Sequence, residues 1–373
     1  MNFKQVYKLI NYINKLIFKI KIIIGNYKYE KREKNLLIKN NFSLKKEEGE
    51  DEYIDFYKSI FGFKSPWAYR LYSKYIGPNI SILSQEGAFI ISDFLNEKKY
   101  IPLYQDKNLF DKFLPGMLPQ TIIRKIDNHF YNDKYKKIDL NNSKLDEILK
   151  ESNFETIVVK ETIETDSGRG VKIFNKNSNN IFIDKELNIL DFNYLNNLSN
   201  DIIIQEGVKQ HKVLSNLCKS SINTIRIATY KSIKDDEIKI LSSVIRIGHE
   251  GSPVDNLHQG GCMVRINDDG KLNKYAVNQY GQKFLKHNNI DFEKQDIYIP
   301  NWNQIISFAK KINELLPHLR LLQLDISLNE NGNPILIEFN CTGFSMWISQ
   351  FTGTPALGEY TSEILNYYKN NKK

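Results

Sequence analysis

The segment that most restricts the fold is residues 321–340, LLQLDISLNENGNPILIEFN, in which two alternating stretches meet at an Asn-Gly pair. Asn331-Gly332 is a strong hairpin signal, because both central positions of a type I′ turn require positive φ. With a two-residue loop there, directly opposed partners have residue numbers summing to 663, so Asp325 faces Glu338 and Gln323 faces Asn340. Leu322, Leu324, Ile326 and Leu328 fall on the other face of the first strand, as a period of two demands. Carboxylates opposed at about 5 Å between Cβ atoms repel each other. A divalent cation between them would relieve the conflict, and oxygen ligands of this kind suit Mg²⁺. The alternative is a solvated hairpin with unfavourable charges.

Other segments carry chemistry of the same sort. A strand at 157–160 ends in Lys160 and is followed by Asp166-Ser167-Gly168-Arg169-Gly170 and a second strand at 171–174. Glycines around Arg169 allow backbone N–H groups to form an anion-binding nest, with Lys160 as a point charge for the same phosphates. No GxxxxGK[ST] motif exists, and the turn leads into a strand, so this is not a P-loop. The apolar strand 202–205 ends in Gln205-Glu206-Gly207-Val208, an edge that can offer backbone groups to an adenine, with Ile204 and Val208 against the ring; alone it reads as a core strand. Thr224 and Arg226 share one face of the strand 223–230, and the charged turn 234–237 leads back into a strand carrying Arg246. Two guanidiniums converging there call for phosphate or carboxylate, or else for salt bridges to Asp255 or Glu250. The polar loop 248–261, GHEGSPVDNLHQGG, has the length and composition of a binding loop.

Composition sets outer limits. At 373 residues and 41% hydrophobic, the chain can bury two or three lobes. The formal charge of +8 favours an anionic partner without choosing one. Nucleic acid is not expected, since no aromatic platform motif accompanies the charge. Cys218, Cys262 and Cys341 are odd in number and widely spaced, which excludes a disulfide framework or structural zinc and fits a reduced, cytoplasmic compartment. Residues 1–40 read as a basic amphipathic helix with Val6, Leu9, Ile10, Ile13, Leu16 and Ile17 at helical spacing. The expectation is that it docks on the core, with an anionic membrane surface as the alternative. Its apolar runs are too short and too interrupted by Lys19 and Lys21 to span a bilayer. A charged linker, KKEEGEDE, follows; residues 53–118 are patterned as helices, and Asp106 is placed to cap one of them. Further helices are expected at 143–151, 184–198, 302–316 and 355–368.

In this order the parts resemble the ATP-grasp superfamily: Lys160 before a glycine hairpin, a hinge at 205–208, strand arginines, then Asp325 and the Glu338-Phe339-Asn340 triplet. Ser221-Ile-Asn223-Thr224-Ile-Arg226, Arg246-Ile-Gly248, Asp255-Asn256 with Gly260-Gly261, and Tyr104-Gln-Asp106-Lys107-Asn108 are similar to its sugar-transfer associated, polysaccharide-linked members. The resemblance covers roughly residues 98–365. It implies an α+β fold with two lobes gripping ATP between antiparallel sheets, after a mostly helical N-terminal region. The divisions are then 1–52, 53–118, 119–210 for the nucleotide lobe, and 211–373 for the lobe carrying the Mg²⁺ site. Two departures accompany it: residues 53–118 are helical where a Rossmann-like domain is usual, and the first nucleotide lysine is open among Lys107, Lys112 and Arg124.

The roles implied are these. ATP is held by Lys160, Ser167, Gly168, Gly170, Gln205, Glu206 and Val208; Mg²⁺ by Asp325, Glu338 and Asn340. Arg226, Arg246 and Asn256 act on the reacting groups, and Asp255, Gly260 and Gly261 contact substrate. The activity implied is ATP- and Mg²⁺-dependent ligation of a small-molecule or sugar-linked carboxylate to an amine through an acyl phosphate. The rivals are a sugar or polyol kinase on the same fold, with Asp255 as base, and a non-catalytic scaffold in a polysaccharide assembly complex, peripheral to the inner membrane face.

Overall fold

The computed structural model describes residues 3–151, 154–163 and 170–372. The chain divides into two compact units, one of Met1–Leu95, Val277–Phe284 and Thr342–Lys373, the other of Asn96–Ala276 and Leu285–Cys341. Residues 342–373, expected with the metal-site lobe, thus cluster with the N-terminal helices.

The first unit is helical: α1 (Phe3–Lys39), α2 (Glu50–Phe61), α3 (Pro66–Ile76), α4 (Gln85–Leu95), α10 (Met346–Phe351) and α11 (Thr361–Asn371). Pro66 opens α3, where its missing N–H costs nothing. The core is aromatic, with Tyr53, Tyr57, Tyr69 and Tyr72 all buried. Tyr57 shares a 2.7 Å hydrogen bond with Ser84, and a Cβ at Gly87 would stand 2.0 Å from the Tyr57 hydroxyl, so glycine is what lets α4 approach. The C-terminal part of α1 buries Glu33, Leu36 and Leu37. Its N-terminal part does not dock as expected: Val6, Leu9, Ile10, Ile13, Leu16 and Ile17 are all exposed. The expected helix at 355–368 begins only at Thr361, after a 3₁₀ turn at Gly358–Tyr360.

The second unit contains two antiparallel sheets. The first has the order β3-β2-β1-β7-β4-β5-β6, from β1 (Thr121–Ile126), β2 (His129–Asn132), β3 (Lys137–Ile138), β4 (Thr156–Glu161), β5 (Val171–Lys176), β6 (Phe182–Ile183) and β7 (Ile202–Glu206). One face buries Ile123, Ile157, Val159, Phe174, Ile202 and Ile204 in a core that also takes Leu145 and Leu149 of α6 (Asn142–Glu151) and Leu195 of α7 (Phe192–Asn197). α7 is shorter than the expected 184–198, because residues 182–183 form β6 and Ile189 bridges back to Ile183. The buried Lys125 ammonium donates to the carbonyls of Asn196 and Leu198, satisfying groups orphaned at the end of α7. Short helices α5 (Phe110–Phe113) and α8 (Lys212–Ser215) each precede the first strand of one of the two sheets.

The second sheet, within this unit, runs β10-β9-β8-β15-β16, from β8 (Thr224–Lys231), β9 (Ile238–Ile247), β10 (Cys262–Arg265), β15 (Leu321–Leu328) and β16 (Pro334–Asn340). The chain passes between units at β11 (Ala276–Val277); β12 (Lys283–Phe284) lies in the helical unit, and β13 (Lys286–His287) pairs with β14 (Ile290–Asp291). α9 (Trp302–Leu315) packs on β8, β9 and β15, where buried Asn313 donates to Thr229 at 2.8 Å. Every residue of β15 is buried.

The hairpin reaches its expected pairing by an unexpected path. Asp325 does oppose Glu338, and Gln323 opposes Asn340. The loop, however, is three residues long: Asn329 pairs with Asn333, and Gly332 alone takes positive φ, +80°. That shifts Ile326, Ser327 and Leu328 by one, onto Leu336, Ile335 and Pro334. A bulge at Ile337 then restores the register at Asp325. It also breaks the simple alternation of β16, so Leu336 and Phe339 are the buried residues while Glu338 stays half-buried.

Candidate active site

The strand register of the second sheet assembles the site. Arg226 lies directly across from Asp325, Thr224 across from Arg246, and Asp325 across from Glu338. Arg226 grips Asp325 as a two-pronged fork, Nε to Oδ1 and Nη2 to Oδ2, both at 2.7 Å. Arg246 reaches the same carboxylate at 3.3 Å and hydrogen bonds Asp255 and the Thr224 hydroxyl at 2.8–3.2 Å. The Thr224 backbone N–H and hydroxyl also donate to Asp255. Buried Asn223 fixes the strand entry, donating to the Leu214 and Cys218 carbonyls and accepting from the Gly248 N–H. The Asn-Thr-x-Arg string thus encodes, in order, a backbone clamp, an Asp255–Arg246 holder and the partner of Asp325.

This network decides the protonation states. Burial alone would raise Asp325, but the charges of Arg226 and then Arg246 outweigh it and hold the carboxyl below its ordinary range. Burial lifts Asp255 above the usual carboxylate value despite Arg246. The repulsion expected between Asp325 and Glu338 therefore needs no metal to relieve it. The guanidiniums neutralise Asp325, and Lys107 pairs with Glu338 at 3.2 Å.

Lys160, at the end of β4, completes a cationic cluster. Desolvation is the largest influence on its ammonium, Glu338 opposes it and Lys107 adds to it, leaving the group depressed to about 8. Four cations (Lys107, Lys160, Arg226 and Arg246) thus share a neighbourhood with three carboxylates, Asp255, Asp325 and Glu338. Of the Lys107–Glu338 pair, the carboxylate is the more exposed, at 33% against 14%.

Of Lys107, Lys112 and Arg124, among which the first nucleotide lysine is open, Lys107 is the one that stands beside Glu338 and Lys160. Its rivals are committed elsewhere. Arg124 is buried, paired with Asp111 and with the Asn108 carbonyl, and lies 4.1 Å over the Tyr135 ring. Lys112 lies over the same ring at 4.0 Å. Lys107 is placed by the turn it sits in: Asp106 accepts from the Asn108 N–H and caps a 3₁₀ turn, and the Lys107 N–H donates to the Thr162 carbonyl beside β4.

The hinge strand runs differently from the expectation in one respect. Ile204 packs into the helix-covered core, so it does not face a ring. The opposite face carries Ile203, registered between Arg124 and Lys160, and Gln205, registered on Val158. Gln205 donates to the Pro119 carbonyl, Glu206 accepts from the Gln120 N–H, and Val208 is half-buried just beyond. Ser167 and Gly168 lie outside the described residues. Gly170 has φ +71°, and its carbonyl accepts from the Glu161 N–H at 3.1 Å.

In the loop 248–261, Asn256 caps a 3₁₀ turn by accepting from the His258 N–H. Gly260 takes φ +89°, and a Cβ at Gly261 would stand 2.9–3.1 Å from three backbone carbonyls. These glycines shape the loop that presents Asp255 to Arg246. For a metal, Asp325, Glu338 and Asn340 would supply hard oxygen donors of the kind Mg²⁺ takes. Among the described residues no three His, Cys, Asp or Glu side chains gather for a metal, so the set is two carboxylates and an amide. It fits the ion on the chemistry of its donors: a carboxylate oxygen that accepts one guanidinium N–H retains a second lone pair.

The family model described as sugar-transfer associated ATP-grasp matches residues 90–366. No curated protein matches the chain. Among solved structures it is similar to the ADP complex of purK, an N5-carboxyaminoimidazole ribonucleotide synthetase, at 11% identity and TM-score 0.39, over 68% of this chain and 51% of that one. It is similar also to the N5-carboxyaminoimidazole ribonucleotide synthetase of Thermotoga maritima (12%, TM-score 0.36, 74% of this chain and 55% of that one). A third is the ATP-grasp ligase PsnB with minimal precursor, Mg and ADP (11%, TM-score 0.39, 74% and 62%). The chain spans from about half to under two thirds of these proteins' own lengths. With the family model covering well over half of its residues, the chain belongs to the sugar-transfer associated ATP-grasp family.

Proposed function

We propose that this protein is an ATP- and Mg²⁺-dependent carboxylate–amine ligase that modifies a surface polysaccharide or its sugar precursor. The observation that carries the reading is the gathering of Lys107, Lys160, Arg226 and Arg246 around Asp325 and Glu338. Such a cluster suits a polyphosphate and its counter-ion. Lys160 and Lys107 hold the phosphates, Gln205, Glu206 and Val208 border the base, and Asp325, Glu338 and Asn340 would hold Mg²⁺. When bound, that ion neutralises charge on the β- and γ-phosphates. A substrate carboxylate oxygen attacks the γ-phosphorus, releasing ADP and leaving an acyl phosphate. An amine then attacks the acyl carbon, losing a proton and expelling phosphate as the amide forms. Arg226 and Arg246 stabilise the charge that builds on the transferred group, so positioning and electrostatics suffice without a protein nucleophile.

A kinase would need a base at the acceptor hydroxyl. Asp255 is the candidate, but it is buried against Thr224 and Arg246, which disfavours that role. The family's description supports a substrate from sugar metabolism. ATP dependence and the three free, buried cysteines are in keeping with a cytoplasmic site of action. Product analysis tests the reading: ADP and free phosphate should appear in equal amounts only when carboxylate and amine are both supplied. ADP without free phosphate, with a stable phosphoester, would establish the kinase instead.

A further inference from the structure

The N-terminal helix carries a face that the fold leaves uncovered. Val6, Ile10, Ile13, Ile17, Ile20 and Ile24, with Leu9, Leu16 and Ile23 alongside, are each 38–63% exposed. At about 100° per residue these nine positions form one stripe about 140° wide. The buried positions further along the same helix, Glu33, Leu36 and Leu37, centre about 150° away from that stripe. The turn of the helix that packs on α3 and α4 therefore aims the stripe outward. From Phe3 to Gly25 the helix extends about 33 Å at 1.5 Å per residue.

Charge selects the occupant. Between Phe3 and Tyr29 the sequence contains six lysines, at 4, 8, 15, 19, 21 and 28, and no acidic residue. Of these, exposed Lys19 falls on the side of the helix away from the stripe, while exposed Lys21 and Lys28 border it. A second copy seated on the stripe would bring the bordering Lys21 and Lys28 against a helix with no acid before Glu30 to pair them, and three apolar positions per heptad exceed the narrow seam of a coiled coil. No described helix is long and apolar enough to cross a membrane. We infer that α1 lies in the surface of an anionic lipid bilayer, apolar stripe in the acyl boundary and lysines among the headgroups.

The test uses the full chain with vesicles of phosphatidylcholine alone or with phosphatidylserine, sedimented at low and high salt. Binding should require phosphatidylserine and weaken with salt. Lys19→Gln with Lys21→Gln should lower partitioning about twenty-five-fold, at about fivefold per lysine. Ile13→Asp with Ile17→Asp should abolish it. All four positions are exposed, so melting temperature should not change. Equal binding to neutral vesicles, or none at low salt, would overturn the inference. So would concentration-dependent self-association, seen by sedimentation velocity and lost in the isoleucine variant, without vesicle binding.

Discussion

Lys160→Met should make the protein more stable and a poorer nucleotide binder at once. Burial depresses the Lys160 ammonium from 10.5 to about 8, a shift worth about 3 kcal/mol against the charged form. The sign follows from proton counting. Between about 8 and 10.5 the unfolded chain holds a proton at this site that the folded chain has lost, so stability rises with pH across that window. Below about 8 both states are charged and the folded state bears the whole penalty. The variant should therefore unfold at higher denaturant at pH 7, by up to about 3 kcal/mol, and the gain should vanish by about pH 10.5. Nucleotide binding should have the opposite dependence, because phosphates hold the ammonium charged. Calorimetric titration with a non-hydrolysable ATP analogue, in buffers of differing ionisation enthalpy, should show uptake of about 0.1 proton at pH 7 and about half a proton at pH 8. Uptake at pH 8 should disappear in Lys160→Met. A variant that melts lower than the wild type, or proton uptake identical in the two proteins, would refute the reasoning.

Glu338→Gln should keep the fold, since the side chain is one-third exposed, yet reduce Mg²⁺-dependent turnover on the order of a hundredfold; it should also move the Lys160 titration below about 8, because Glu338 supports that charge. Breaking the Arg226–Asp325 fork by Arg226→Met or Asp325→Asn should each cost about 3 kcal/mol in denaturant unfolding, while the double variant recovers part of the loss. Asp325 is depressed, so its contribution is present above the unfolded value of 3.8 and should be lost as pH falls through the folded one. Glu30 and Glu33 behave oppositely. Burial raises Glu30 to about 7 and Glu33 well above its ordinary value, the latter pushed further by the neighbouring Glu30. Stability should fall as pH rises from about 4.5 to about 7, and Glu33→Gln should flatten that slope and melt higher at pH 8.

The alternation of 321–340 around its Asn-Gly turn by itself determined a hairpin that brings Asp325 close to Glu338, because a short turn pairs the two flanking strands. It could not determine the loop length or the bulge at Ile337, two one-residue departures that cancel at Asp325. The face shared by Thr224 and Arg226, and their meeting with Arg246, were equally legible, since they follow from strand period and a short charged turn. Which cation neutralises which carboxylate was not. Arg226 finds Asp325 across 99 residues and Lys107 finds Glu338 across a greater distance, contacts set by sheet order and lobe packing rather than by local pattern. The same limit explains Ile204. An all-apolar strand carries no mark of which face meets the helices, and only the packing of α6 and α7 decides it. At the N-terminus the periodicity of α1 was plain, but amphipathicity says only that a face seeks an apolar surface. That the fold turns its own core-facing side away from that stripe is a property of the tertiary structure alone.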